Sequence, residues 1–247
     1  MDHSEGLINY KKIVCSWSGG IDSTALIGKL AQKGYSILAI YLDLYDIGFS
    51  DREKRARDKL FPIIKNTAQK RGGDLAVEIC DGNWLWNFSN DGVEIPRRNK
   101  LIIDYMIENY MIPEGIINIG MGEYIGADSW HIQDHVSMAD ADQRTLASYI
   151  LHEYGLNYRL ITLADFGESR YKVNRLNLGF EAIGENMNAT TNCLRSVKDH
   201  CGTCYKCVER NVAFHLLDKK DETYYMSEPK DSEMYDDYLD QMKDFFL

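Results

Sequence analysis

At 247 residues the chain has room for one large α/β domain, or one domain with a small appendage, and can bury a core without disulfides. Its net charge of −10 and pI of about 5.1 speak against a stand-alone nucleic-acid binder, which more often carries a basic excess. With 45% hydrophobic and 27% charged residues it is ordinary for a globular protein, and no apolar run approaches the roughly 20 residues of a membrane helix. The opening Met1–Glu5 lacks the charged and apolar regions of a signal peptide, so the expected location is the cytoplasm, with no membrane or direct nucleic-acid partner.

In chain order, Lys12–Ser16 reads as a short buried strand. Ser18-Gly19-Gly20-Ile21-Asp22-Ser23 follows as a turn, and Thr24–Ala31 as a helix with apolar residues at helical spacing. Ser36–Leu42 is apolar nearly throughout, as a strand covered on both faces should be. Asp51–Lys70 reads as a helix with Leu60, Ile63, Ile64 and Ala68 inward, ended by Gly72-Gly73. Leu75–Ile79 is a third strand, so the opening 80 or so residues read β-α-β-α-β, the signature of a parallel sheet.

Gly82–Ile95 is irregular, with Trp84, Trp86 and Phe88 alternating, as core aromatics or a cover over a pocket. Ile95-Pro96-Arg97-Arg98-Asn99 precedes a helix to about Met111. Gly115–Gly120 reads as a fourth strand opening into Met121–Tyr124, and catalytic loops of open α/β sheets sit at such strand ends. Trp130, His131 and His135 have no clear placement. Asp140–Arg144 leads into a helix to about Tyr154, Asn157–Leu163 reads as a fifth strand, and Ser169–Leu178 as a helix with Arg170, Lys172 and Arg175 clustered. Gly184–Asn192 reads as a polar loop and Val208–Leu217 as a helix. The last thirty residues are acidic and tyrosine-rich. Tyr235, Tyr238, Leu239, Met242, Phe245 and Phe246 recur at helical spacing, so this segment could cover its own core or close a homodimer. The expected organisation is an α/β domain over 1–190, a metal-binding segment over 191–217 and an acidic helical tail over 218–247.

Two stretches carry chemistry. A strand, a glycine turn and a helix N-terminus form an anion cradle, because glycine lets backbone N–H groups approach and the helix dipole favours negative charge. Ser18 and Ser23 add hydroxyl donors. No Lys follows the second glycine, so this is not the GxxxxGK[ST] phosphate loop. The expected nucleotide-binding residues are Ser16, Ser18, Gly19, Gly20, Asp22, Ser23 and Thr24. Late in the chain, Cys193, Cys201, Cys204 and Cys207 place two overlapping C-x-x-C turns on one point. That suits tetrahedral zinc held by four thiolates, with no open position for chemistry. An iron–sulfur cluster is the competitor, since cysteine ligates both. His200, Lys206, Glu209 and Arg210 stand beside these cysteines and suit a hydrophobic core poorly. Cys15 and Cys80 read as core residues.

Ser-Gly-Gly-x-Asp-Ser between strand and helix resembles the pyrophosphate loop of the ATP pyrophosphatases, which cleave ATP between its α and β phosphates and leave an adenylated substrate. Taken with the cysteine pattern Cys193-x7-Cys201-Gly202-x-Cys204-x2-Cys207-Val208-Glu209-Arg210, it resembles the 7-cyano-7-deazaguanine synthase (QueC) family, from about residue 11 to about residue 217. Weaker matches are Ile95–Asn99, Ile117–Gly120, Asp142-x-Arg144, Lys172 and Thr191-Asn192-Cys193. The resemblance implies a Rossmann-like, adenine-nucleotide-hydrolase-like parallel sheet with helices on both faces, plus a zinc knuckle and C-terminal helices. It implies ATP, Mg²⁺ and Zn²⁺ as cofactors and a small deazaguanine as substrate. ATP would adenylate the carboxylate of 7-carboxy-7-deazaguanine, ammonia would displace AMP, and a second ATP would drive the amide to the nitrile, a step in queuosine biosynthesis. Asp22 would orient the loop or help hold Mg²⁺, and Asp22, Ser23, Arg98, Arg144 and Lys172 are the candidate catalytic residues. Tyr45–Arg52 and Ser137–Leu146 depart from the family's pattern around the substrate. A relative acting in anti-phage defence, which joins the deazaguanine to an amine of a protein acceptor, is the alternative. A tRNA-modifying enzyme of the same loop type and a non-catalytic nucleotide-binding module are further readings.

Overall fold

The computed structural model describes residues 11–43, 50–81, 102–121, 154–156, 158–167, 171–193, 195 and 198–246. Five strands form one parallel sheet in the order β3–β2–β1–β4–β5. The central strand is β1 (Lys12–Ser16). On one side lie β2 (Ser36–Asp43) and β3 (Asp74–Asp81), and on the other β4 (Asn118–Gly120) and β5 (Arg159–Ile161). β2 and β3 pair along their whole length, from Ser36 opposite Asp74 to Asp43 opposite Asp81.

The period of two along β1 divides the core. Ile13 and Cys15 face α1 (Ile21–Gln32), α2 (Ser50–Gln69) and α4 (Lys172–Ile183), through Leu26, Leu30, Leu60, Ile64, Val173 and Leu176. Val14 faces the other way, onto Ile103, Met106, Ile107 and Met111 of α3, residues 102–114. Helices thus cover both faces, and the covering face changes where the strand order reverses, as right-handed crossovers require. The reversal falls between β1 and β4, so the turn after β1 opens at the crevice where open α/β sheets take ligands. Gly120 lets β4 close on β1, because a Cβ there would stand 2.3 Å from Cys15 Sγ.

Several elements differ from the sequence expectation, each for a local reason. β5 is short because Thr162 starts a capped turn, its N–H bonding Asp165 Oδ2 at 2.8 Å. α4 begins at Lys172, with Tyr171 as its cap. The Gly184–Asn192 stretch is not an open loop: Gly184–Ala189 coils into a 3-10 helix. Its Met187 packs where a Cβ on Gly179 would lie 2.5 Å from the methionine methyl. α3 widens to a π-helical turn at Ile107–Met111, next to Pro113, which has no N–H to donate. Cys15 and Cys80 are core residues as expected. α5 (Tyr205–Leu216) and the C-terminal α6 (Tyr235–Phe246) pack together through Val208, Val212, Tyr235 and Met242, so this part of the tail's apolar stripe lies on its own chain. No helix among the described residues is long and apolar enough to cross a membrane. The readings placed on 82–100, 122–153 and 168–170, including Trp84, Trp86, Phe88, Trp130, His131, His135 and Arg170, lie outside the described residues.

Candidate functional site

The turn after β1 is held from behind. Trp17 is buried and its indole N–H donates to Thr24 Oγ1 at 3.0 Å, stitching the strand end to the first turn of α1. Gly19 adopts φ +85°, and a Cβ there would meet the Glu53 carbonyl at 3.0 Å and Ala56 and Arg57 at 3.2 and 3.3 Å. Only glycine fits, because the conformation is left-handed and α2 runs directly behind. The Gly20 N–H donates to Ser18 Oγ at 3.2 Å, and the Ser18 and Ser23 hydroxyls lie 3.2 Å apart. Gly20 caps α1 without a side-chain bond to the helix. The first helical N–H groups therefore stay available to an anion.

A charged cluster lies beside this N-terminus, assembled from three helices. Asp22 of α1 accepts from Lys172 Nζ of α4 at 2.5 Å through Oδ2. Its Oδ1 makes no hydrogen bond and has Arg175 Nη1 at 3.9 Å. Glu209 of α5 lies 3.9 Å from Lys172 and 3.8 Å from Lys206. Burial alone would push the Asp22 carboxyl up, but Lys172, Arg175 and Lys206 outweigh it and hold it below the usual range. Burial would likewise lower the Lys172 ammonium, yet Asp22 and Glu209 raise it. Both groups therefore stay charged at neutral pH.

The cysteines converge on one point. The sulfurs of Cys193, Cys201, Cys204 and Cys207 all lie within 4.8 Å of one another. Cys204 Sγ stands 3.9 Å from that of Cys193 and 3.5 Å from that of Cys207. Four sulfurs about 2.3 Å from one tetrahedral ion stand about 3.8 Å apart, so the spacing suits a single ion such as zinc. An iron–sulfur cluster spreads its four cysteines over two or more irons and needs wider spacing. Backbone N–H groups of Arg195 and Cys201 point at Cys193 Sγ at 3.4 Å, and that of Cys204 at Cys201 Sγ at 3.3 Å, which favours thiolates. The Cys193 thiol is held well below its usual range by hydrogen bonds from Cys204 and Cys207. Gly202, at φ +80°, makes the turn, and a Cβ there would overlap the Ser227 carbonyl at 1.7 Å.

The knuckle is docked on the turn. The Thr191 N–H donates to the Gly19 carbonyl at 3.0 Å, and Gly20 and Thr191 form an isolated parallel bridge. Thr191 Oγ1 lies 3.3 Å from His200 Nε2, and burial holds the His200 imidazole down at about 4. Behind it, fully buried Arg210 donates to the Thr190 hydroxyl at 2.7 Å, to the Asn188 carbonyl at 3.3 Å and to Asp221 at 3.3 Å. Asp221 in turn accepts from the Tyr225 hydroxyl at 2.6 Å. From α2, Arg52 donates to the Cys193 carbonyl and Arg55 to that of Lys198 at 3.0 Å. Arg57 donates to the Ser18 carbonyl at 3.2 Å, tying the same helix to the loop.

Of the residues expected from the sequence, Ser18, Gly19, Gly20, Asp22, Ser23 and Lys172 come together, and the four cysteines form a nearby cluster that could hold a metal ion. Thr24 is buried and its hydroxyl is taken by Trp17, so it braces the turn from within. The Ser16 hydroxyl points to Met121 Sδ at 3.8 Å, at the floor of the crevice. Arg98 and Arg144 lie outside the described residues. Sequence reasoning did not single out Arg52 or Arg57 as parts of this site, named Thr191 only within a family match, and set Lys206 and Glu209 beside the cysteines without joining them to the glycine turn. The one available signal was the set of charged residues crowded among the cysteines.

No protein-family model matches the chain. Curated relatives do. A 7-cyano-7-deazaguanine synthase of Saccharolobus solfataricus is 25% identical over 243 residues, which is 89% of this chain and 48% of the relative. Proteins of the same name from Psychromonas ingrahamii and Hahella chejuensis are each 25% identical, over 228 and 240 residues, covering 87% and 92% of this chain and 98% of each relative. The chain thus spans about half the length of the archaeal relative and nearly all of the two bacterial ones. Over close to nine-tenths of its length, this chain is similar to proteins named 7-cyano-7-deazaguanine synthase, the family that its glycine turn and cysteine pattern resemble.

Proposed function

We propose that this chain is an ATP-dependent, AMP-forming enzyme that activates the carboxylate of 7-carboxy-7-deazaguanine and passes the acyl group to nitrogen. The observation that carries the reading is the direct docking of the cysteine knuckle on the glycine turn through Gly20 and Thr191, which makes the family's two hallmarks one site.

A carboxylate is a poor acyl donor, and AMP is a good leaving group. A substrate carboxylate oxygen attacks the α-phosphorus of ATP, the α–β bridging bond breaks, and pyrophosphate leaves. The free N–H groups at the start of α1 and the Ser18 and Ser23 hydroxyls hold the β and γ phosphates in line for that departure. Ammonia then attacks the acyl carbon and AMP is expelled, giving the amide. A second adenylation, on the amide oxygen, followed by loss of AMP and protons gives the nitrile. Asp22 Oδ1, buried and without a hydrogen bond, offers one oxygen to Mg²⁺, which commonly takes one or two carboxylates and otherwise phosphates and water; the ion would neutralise phosphate charge. Lys172 holds Asp22 ionised and in place. The four cysteines would hold zinc with no position left for substrate, so its contribution is to fix the start of α5 and the Thr191 contact.

Product analysis by mass spectrometry tests the proposal. Incubation with ATP, Mg²⁺, 7-carboxy-7-deazaguanine and ammonium is expected to yield AMP and the amide, then the nitrile. AMP release that yields acyl product only with a protein amine would redirect the reading to conjugation. No AMP with this acid would overturn it.

A further inference from the structure

Two of the three cations around Asp22 are already committed. Lys172 has no exposed side-chain surface and sits 2.5 Å from Asp22. Arg175 lies 3.9 Å from the other carboxylate oxygen of Asp22. Lys206 differs. Its side chain is the most exposed of the cluster, at 22%, and its nearest carboxylate oxygen, on Glu209, is 3.8 Å away, beyond hydrogen-bonding reach. It is nonetheless near enough to Asp22 to act on that carboxylate electrostatically. Among the described residues the cluster sets three cations against two carboxylates, so one positive charge has no counter-ion. That surplus stands beside the uncapped N-terminus of α1, whose N–H groups and dipole also call for an anion. Lys206 lies between Cys204 and Cys207 in the first turn of α5, so its backbone is fixed by the knuckle while its ammonium reaches the cluster.

We infer that Lys206 is a further phosphate-binding residue of this site, contacting the β and γ phosphate oxygens that leave as pyrophosphate. The inference rests on the nucleotide reading proposed above. It divides the work among the cations: Lys172 neutralises Asp22 out of reach of solvent, and Lys206 meets the ligand.

Calorimetric titration of the full chain with magnesium pyrophosphate and with magnesium ATP tests this, on wild type, Lys206→Met and Lys206→Arg, with metal content and melting temperature measured on each. The expected result is pyrophosphate and ATP binding weakened about 10–100-fold in K206M, the worth of one hydrogen bond to a charged group. Metal content and melting should match wild type, and K206R should recover most of the affinity. K206M that binds pyrophosphate as tightly as wild type overturns the inference and leaves the nucleotide reading standing. Equal weakening in K206M and K206R with loss of metal makes Lys206 a structural residue and also overturns it. Wild type that binds neither pyrophosphate nor ATP removes both readings.

Discussion

The Ser18–Ser23 turn and the cysteine knuckle meet at Gly20 and Thr191, yet they keep their shapes by different means. The turn is a backbone structure. Gly19 in a left-handed conformation, an uncapped helix start and a tryptophan brace define it, and nearly all of its parts lie within eight residues of one another. The knuckle is a side-chain structure. Four converging cysteines, and a buried arginine spread over Thr190, Asn188 and Asp221, hold segments that have little regular structure of their own. A backbone structure is vulnerable to a single added carbon. A side-chain structure is vulnerable to the loss of a partner, and loses more when it fails, because each removed partner strands a buried charge.

Removing the ion or a ligand should have the largest effect. Cys204→Ser, or chelation of the wild type, is expected to cost several kcal/mol, since metal binding in such knuckles is folding energy. That corresponds to a drop in melting temperature on the order of 10 °C for a chain of this size. Calorimetry alongside metal analysis checks it. A metal-free chain that melts like the loaded one would break the comparison.

Arg210→Met comes next. It leaves Asp221 buried without its cation and frees the Thr190 hydroxyl, at an expected cost of about 3–5 kcal/mol. Denaturant titration measures it. The double change Arg210→Met with Asp221→Asn should cost less than the sum of the single changes, by about 1 kcal/mol or more, because the two share one network.

The two strained glycines sharpen the comparison. Gly202→Ala meets both a left-handed φ and a backbone overlap, so about 2–3 kcal/mol is expected, with weakened metal retention. Gly19→Ala has the same φ problem with looser contacts, so about 1–2 kcal/mol is expected. Its metal content should stay at the wild-type level while ATP binding falls. Metal loss in Gly19→Ala would mean that the two regions fail together.

The smallest effect is a pH dependence. The Asp22 carboxyl is held below its unfolded value, so its contribution is complete above pH about 4 and is lost as pH falls through the folded value. Lys172 is shifted the other way, so its contribution is complete below about pH 10.4 and is lost above. Wild type and Asp22→Asn should therefore differ in stability near neutrality and converge in acid below pH 4, as read from melting curves across pH. A difference that persists unchanged in strong acid would remove the Asp22–Lys172 pair as its source.

What was legible in the sequence follows the same division. β1, its turn and α1 could be read because their signals are adjacent: an apolar run, two glycines, a helical stripe. The cysteines could be read because a metal imposes spacing on its ligands. The wall between them could not. Arg52 and Arg57 look like surface cations of a charged helix, since nothing within α2 reveals that its inner face meets the Cys193 carbonyl and the Ser18 carbonyl. Lys206 and Glu209 carry their signal only in company, as charges set among converging cysteines. Lys172 was singled out by resemblance, but its burial against Asp22 depends on how α4 crosses α1. Gly28 permits that crossing, since a Cβ there would stand 2.9 Å from Ala182 Cβ. β5 was read too long because apolar content continues past Thr162, where a capped turn takes over the backbone, and β4 because the apolar run begins at Ile116, just past the left-handed Gly115 that ends α3 and before the strand itself.

The Gly20–Thr191 bridge also sets an order of events in time. The β1–turn–α1 unit leaves the ribosome early, while Thr191 and the cysteines that fix it follow at a synthesis rate of about 5–20 residues per second, a delay of roughly ten to thirty seconds. During that interval the turn has its glycines and hydroxyls but not its far wall. The nascent chain can therefore assemble much of its sheet before Thr191 reaches the turn, and the Gly19–Thr191 hydrogen bond is one of its last contacts to form.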